Sequence, residues 1–401
     1  MVRRLPVTGL IASSLFFTGI TYASTLPYGA VVGIDTLGIS NSGYAALLTL
    51  SALGSAAASV ALGALSDRIS DRRLIVIACA SLGALAYGLV YLSHTSWAFV
   101  VATGIIMPFG GALFSQSFSF ARSYYNERQP ERAEFMISML RTLFAVAWVI
   151  VPPIAGAIAA ADSVFDVYGL AAAAYLVCAA IFGVLLLDPS ARIGRPKASA
   201  SGNATAEASA RIATPMLFGI AGVILINVAI GLNTTTAPLA IITNFHGTLA
   251  DVGIYAGLAA LLEVPCMLLW GVAATRWPKF ALIVVSALVY AVYLFMLSRA
   301  GSVAGVLWLQ GLNAIATAGL MSIPISYLQD AIRGRIGLST SLLDVVGVIA
   351  RIAAAGLFAA VAGGSDNYPA VFVVAAAFAL GGAAVLFLAH ARKPANAARP
   401  A

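Results

Sequence analysis

Twelve apolar stretches of about 20 residues or more run the length of the chain, each cut from the next by a short cluster of charged or turn residues. Such a stretch wound as an α-helix crosses the roughly 30 Å hydrocarbon layer of a bilayer. A helix also satisfies its own backbone there, which an open strand does not. The stretches fall at 8–34, 43–65, 74–92, 97–120, 135–160, 166–187, 214–242, 249–274, 280–298, 302–328, 336–362 and 367–390. They predict an all-α integral membrane protein of twelve transmembrane helices, with the lipid bilayer as its surroundings. Composition agrees: 61 % of the 401 residues are apolar and 9 % carry Asp, Glu, Lys or Arg, against about 25 % charged in a soluble domain. Arg3-Arg4 and Tyr22-Ala23-Ser24 imitate a secretory signal, but the apolar run continues past Pro27 to Val32, too long for one.

The net charge is +7, and its placement decides its meaning. Alternate loops, beginning with the N-terminus, hold 19 of the 22 basic residues. The opposite loops hold Arg299 with Asp35, Asp162, Asp166, Asp251 and Asp366. This bias predicts both termini in the cytoplasm and an even number of spans. Basic charge spread over loops in this way argues against a nucleic-acid partner. Cys79, Cys178 and Cys266 lie in apolar runs without His or Cys at ligand spacing and read as small buried hydrophobes, not as metal or disulfide sites.

Residues 188–213, rich in Ala, Ser, Arg and Gly, read as a flexible cytoplasmic linker between bundles 1–187 and 214–401. The halves are weakly alike. Gly63-Ala64-Leu65-Ser66-Asp67-Arg68 closes the second stretch and Gly271-Val272-Ala273-Ala274-Thr275-Arg276 the eighth, while Pro27 has a counterpart in Pro238. Two pseudo-symmetric six-helix bundles are what a rocking transporter needs.

The loop from Gly63 through Asp67, Arg68 and Asp71 to Arg72-Arg73 resembles the signature between the second and third spans of the major facilitator superfamily, with Ser70 where that pattern usually has Gly. The resemblance implies the major facilitator fold and a gating role for Gly63, Asp67, Arg68, Arg72 and Arg73. Asp67 would face the positively polarised start of span 11; the alternative is a loop that only sets topology. In span 5, Pro153 and Gly156 resemble part of an antiporter signature, with Pro152 in place of its usual Gly, and a simple packing kink is the other reading.

Phe16-Phe17-Thr18-Gly19, Leu140-Arg141, Ala147-Trp148-Val149-Ile150, Leu262-Glu263-Val264-Pro265 and Ser326-Tyr327-Leu328-Gln329-Asp330 resemble the bacterial sugar efflux transporter family. That resemblance implies proton-coupled export of sugars or similar small solutes from a bacterial inner membrane, by a monomer without a cofactor beyond the coupling proton.

Four ionisable side chains remain inside the stretches: Arg141, Glu263, Asp344 and Arg351. Each costs at least about 2.5–3.5 kcal/mol at a helix centre and calls for a partner or a wet cavity. Glu263 is the deepest carboxylate, with Arg351 at similar depth, so the four form either a static brace or a proton relay. For the solute, Thr18, Tyr22 and Thr25 make one polar stripe on span 1. Gln116, Asn227, Asn233, Gln310 and Asn313 add amides in spans 4, 7 and 10, the spans that line the cavity in the superfamily, and Trp148 adds a flat surface. A multidrug/proton antiporter exporting lipophilic compounds is the competing function. An enzyme is not expected, since the chain has no HExxH, serine-nucleophile or phosphate-loop motif.

Overall fold

The computed structural model describes residues 6–69, 71–193, 214–331, 336–363 and 367–391. All regular structure among them is helical. Twelve helices are long and apolar enough to cross a membrane: Val7–Tyr28, Asn41–Leu65, Arg72–Ser93, Ser96–Arg128, Pro130–Ala161, Asp166–Leu187, Met216–Thr243, Leu249–Ala273, Lys279–Ser298, Val303–Asp330, Leu342–Ala362 and Tyr368–Ala391, hereafter spans 1 to 12. The expected linker falls outside the described residues from position 194 on.

Polar residues at the span ends set the boundaries. Ser40 accepts from the Gly43 amide at 3.1 Å and starts span 2; Ser302 accepts from the Gly305 amide at 3.2 Å and starts span 10. Thr248 and Asp251 cap one another at the head of span 8, with the Thr248 amide donating to Asp251 at 2.7 Å and the Asp251 amide to the Thr248 hydroxyl at 3.3 Å. His94 ends span 3 in the left-handed region, φ 52°, with its ring stacked 4.3 Å from Phe165.

The chain divides into two compact units, Met1–Ala204 with Gly247–Gly257, and Thr205–His246 with Leu258–Ala401. Unit 1 packs around Ile11, Leu15, Val76, Cys79, Leu113, Phe120, Leu140, Cys178 and Phe182. In unit 2, spans 7 and 12 meet backbone to backbone. A Cβ on Gly222 would lie 2.9 Å from the Gly382 carbonyl oxygen, and one on Gly382 would lie 2.7 Å from that of Gly222. Only glycine permits this approach, which gains dispersion contact along both helices. Large apolar side chains such as Leu92, Leu187 and Leu268 stand exposed, as a lipid-facing surface requires.

Spans 1 and 5 include a 3-10 turn at one end, Leu26–Tyr28 and Pro130–Arg132, and spans 4 and 10 are interrupted within their length. Span 4 carries a π-helical stretch, Ala102–Ile106, then the helix Met107–Gly110, then a turn before Leu113–Arg128. Span 10 is interrupted at Leu309, between Val303–Trp308 and Gln310–Ala331.

Candidate functional site

The interruption in span 4 sets the surroundings of Tyr22 in unit 1. Gly111 stands near the middle of a 33-residue span, where a carbonyl without a helical donor needs a partner from the protein or a wet cavity. The Tyr22 hydroxyl donates to that carbonyl. The Tyr22 ring lies edge-on to Phe114 at 6.5 Å and to Phe144 at 6.2 Å, and those two rings are 4.8 Å apart. Phe114 and Phe144 were not among the residues expected from sequence, although Pro108-Phe109-Gly110-Gly111 within the fourth stretch carried the breaker signal next to Phe114.

The rest of the span 1 stripe is buried against neighbouring helices. Thr18 and Thr25 are buried, and their hydroxyls return to their own helix at Ser14 (2.8 Å) and Thr21 (2.9 Å). Their further contacts are Cys178 Sγ of span 6 at 3.7 Å and the Tyr87 hydroxyl of span 3 at 3.4 Å. Both residues sit in helix-to-helix seams.

Span 5 carries further expected residues. Arg141 is exposed and makes no ion pair or side-chain hydrogen bond among the described residues. Trp148, seven residues on and so on nearly the same side of the helix, is half-buried and packs against the cluster of Ala23, Ala147 and Val151. Gln116 is half-buried on span 4. Pro152 and Pro153 lie inside the helix Ala133–Ala161 and free the carbonyls of Trp148 and Val149 from helical donors. The first turns of span 8 cover this stretch. A Cβ on Gly257 would lie 2.6 Å from the Pro153 ring and 3.0 Å from the Val149 oxygen, and one on Gly253 would overlap the Pro152 carbonyl. Gly156 faces Leu249 and Tyr28, whose hydroxyl donates to Pro152 O at 3.2 Å and reaches Leu249 O at 3.5 Å. Pro153 and Gly156 are thus packing surfaces for the head of span 8.

In unit 2, Glu263 is half-buried at mid-span, two residues before Pro265. The ion pairs among the described residues are Arg73–Asp71, Arg122–Glu134 and Lys279–Asp330. None of these pairs joins Glu263, Asp344 or Arg351 to one another within unit 2. Arg351 lies back along its own helix, with its guanidinium 3.6 Å from where a Cβ of Gly347 would be. Asp344, seven residues away on the same helix, acts on it electrostatically without a direct ion pair.

The amides of unit 2 also hold helices more than they face outward. Asn227 donates to Val223 O at 2.9 Å. Gln310 donates back to Val306 O at 3.1 Å and accepts from Asn313 at 2.8 Å, stitching the interruption in span 10. Asn233 is buried.

At the signature between spans 2 and 3, Gly63 faces open space and Arg68 is exposed, while the side chain of Asp67 lies outside the described residues. Arg72 donates to Ser119 at 2.9 Å and Ser123 at 3.4 Å. Arg73 is buried and donates to Asp71 (2.5 Å), to Leu185 O (2.6 Å) and to Asp188 O (3.2 Å), closing the C-terminal end of span 6. Hydrogen bonding from Arg73 holds the Asp71 carboxyl below the usual carboxylate range.

Residues 10–239 match the family model described as Major Facilitator Superfamily. The chain is 31 % identical to sugar efflux transporter B of Salmonella typhimurium over 360 residues, 89 % of each chain. It is 31 % identical to sugar efflux transporter A of Dickeya chrysanthemi over 392 residues, 96 % of each. Among solved structures it is similar to a nucleoside transporter, TM-score 0.80 at 12 % identity, covering 97 % of this chain and 100 % of that one. A peptide transporter matches with TM-score 0.79 at 11 % identity, covering 98 % and 99 %. At such identities these two likenesses concern the fold alone.

Proposed function

The chain belongs to the Major Facilitator Superfamily, and we propose that this transporter is a proton-coupled exporter of sugars or related polar solutes, working by alternating access in a cytoplasmic membrane with both termini inside. The solute class and direction rest on one observation: identity of about 31 % to sugar efflux transporters along nearly the whole of both chains. The aromatic face of unit 1, Tyr22, Phe114, Phe144 and Trp148, supports it, since flat apolar rings suit the C–H faces of a sugar while polar groups beside them fix its orientation.

Proton coupling rests on Glu263. An antiporter needs a group whose protonation changes as access alternates. A charged carboxylate costs about 2.5–3.5 kcal/mol at the centre of a membrane helix, and no cation among the described residues lies within ion-pair reach of Glu263 to offset that. A proton is the partner this position lacks. Glu263→Gln should abolish accumulation driven by a pH gradient while leaving downhill exchange of solute, measured as flux in proteoliposomes with and without an imposed gradient. Full gradient-driven transport by this variant would return Glu263 to a packing role and make Asp344 the carboxylate to test. Transport of lipophilic cations in preference to sugars in the same vesicles would favour a multidrug antiporter instead.

A further inference from the structure

We propose that the solute carries an anionic group, a carboxylate or phosphate on a sugar-like frame, and that Arg141 receives it. The proposal rests on the reading of the protein as an exporter of sugar-like solutes and narrows that class.

Arg141 lies eight residues into the helix Ala133–Ala161, or about 12 Å along its axis. The exposed apolar residues of this helix, Phe135, Val146, Ile150 and Ile154, lie roughly 120–220° around from it at 100° per residue. The guanidinium therefore leaves the helix on a side other than the lipid-type surface. That side is shared with Ser138, one turn before, and Trp148, two turns on.

An arginine inside a membrane segment is ordinarily offset by an acid or by carbonyls. Arg73 shows the complete arrangement, with Asp71 and two carbonyls on one guanidinium. Arg141 has neither among the described residues. The one acid on its own helix face, Glu134 two turns earlier, is engaged with Arg122 at 2.8 Å. The other described acids of unit 1, Asp35, Asp71, Glu127, Glu131, Asp162, Asp166, Asp188 and Asp251, stand at span ends or in loops.

Arg141 thus has no counter-charge among the described residues, on a helix that also carries aromatic side chains. Phe144 is one turn away and contacts Phe114 and Tyr22. A neutral sugar would bring hydroxyl acceptors to the guanidinium but leave its charge uncompensated. A carboxylate or phosphate matches the planar fork with two parallel charge-assisted hydrogen bonds, while the ring of the same solute lies against the aromatic side.

The test uses the full-length protein in proteoliposomes preloaded for counterflow, with glucose, glucuronate and glucose 6-phosphate as probes. One or both acidic probes should be preferred to glucose by about tenfold or more, and the two acidic arms show which anion the site takes. Arg141→Gln should lower the acid-to-neutral ratio about tenfold, and Arg141→Lys, which keeps the charge and loses the fork, should restore part of it. Glucose moved as well as either acid, or a ratio unchanged in both Arg141 variants, would overturn the anionic assignment and leave the sugar exporter intact. Failure of all three probes, with lipophilic cations moving instead, would overturn both readings.

Discussion

The two units tie their helices together at matching positions with different chemistry. In unit 1, Arg72 at the head of span 3 reaches Ser119 and Ser123 of span 4, 47 and 51 residues further on. In unit 2, Lys279 at the head of span 9 reaches Ser326 O at 3.4 Å and Asp330 at 2.6 Å, again 47 and 51 residues further on. The next position repeats the pattern. Arg73 is buried against the end of span 6, whereas Phe280 stacks 4.2 Å from the His390 ring at the end of span 12. A guanidinium with four oxygens and an aromatic sandwich thus do the same mechanical work. The internal duplication is kept in geometry and spacing, and the residue types have drifted apart, which is why the sequence repeat is faint.

Substitutions can break or sharpen this contrast, and the largest effect is expected at the seam of spans 7 and 12. Gly382→Leu puts a side chain onto the Gly222 carbonyl, where backbone has to move, so no monodisperse protein should elute after solubilisation. Cys178→Ala, in the seam of spans 1 and 6, should cost only about 1 kcal/mol. Arg73→Ala comes next. It strands two carbonyls and a carboxylate, and a loss on the order of 3 kcal/mol should appear as a lower melting temperature. Phe280→Ala, its counterpart, should cost about 1 kcal/mol, because a half-exposed ring pair leaves nothing charged behind. Equal losses at the two positions would mean that the paired contacts are not mechanical equivalents. Lys279→Gln should shift stability by under about 1 kcal/mol, since both members of that pair are well solvated.

The smallest effect is acidic. Asp71 has a folded-state pKa below its unfolded value of about 3.9, so its contribution is fully present above that value. It is lost as pH falls through the lower, folded value. The melting temperature of the parent should therefore fall more steeply below about pH 4 than that of Asp71→Asn. Parallel curves would show that the Asp71–Arg73 contact adds no stability.

Much of this architecture could be read from sequence. All twelve spans stood out because the bilayer imposes length and polarity on each helix separately. Glu263 stood out for the same reason: a carboxylate far from both ends of an apolar run is visible without knowing its neighbours. What depends on neighbours was hidden. The stripe Thr18, Tyr22, Thr25 was correctly placed on one helix face, but whether that face meets another helix or open space is set by how spans 3 and 6 pack. Arg351 shares depth with Glu263, yet its rotamer follows Gly347 on its own helix. The interruption of span 4 left a trace in Pro108 and Gly110-Gly111 that a hydropathy reading averages away.

The reciprocal contact of Gly222 and Gly382 also bears on the history open to the chain. Each glycine is held small by the other's main chain, so neither can accept a larger residue first and wait for the second to compensate. Stepwise drift is closed at both sites together, and the route out is a shift of an entire helix. Relatives in which spans 7 and 12 stand further apart should therefore differ at both positions at once. Those that keep one glycine should keep its mate.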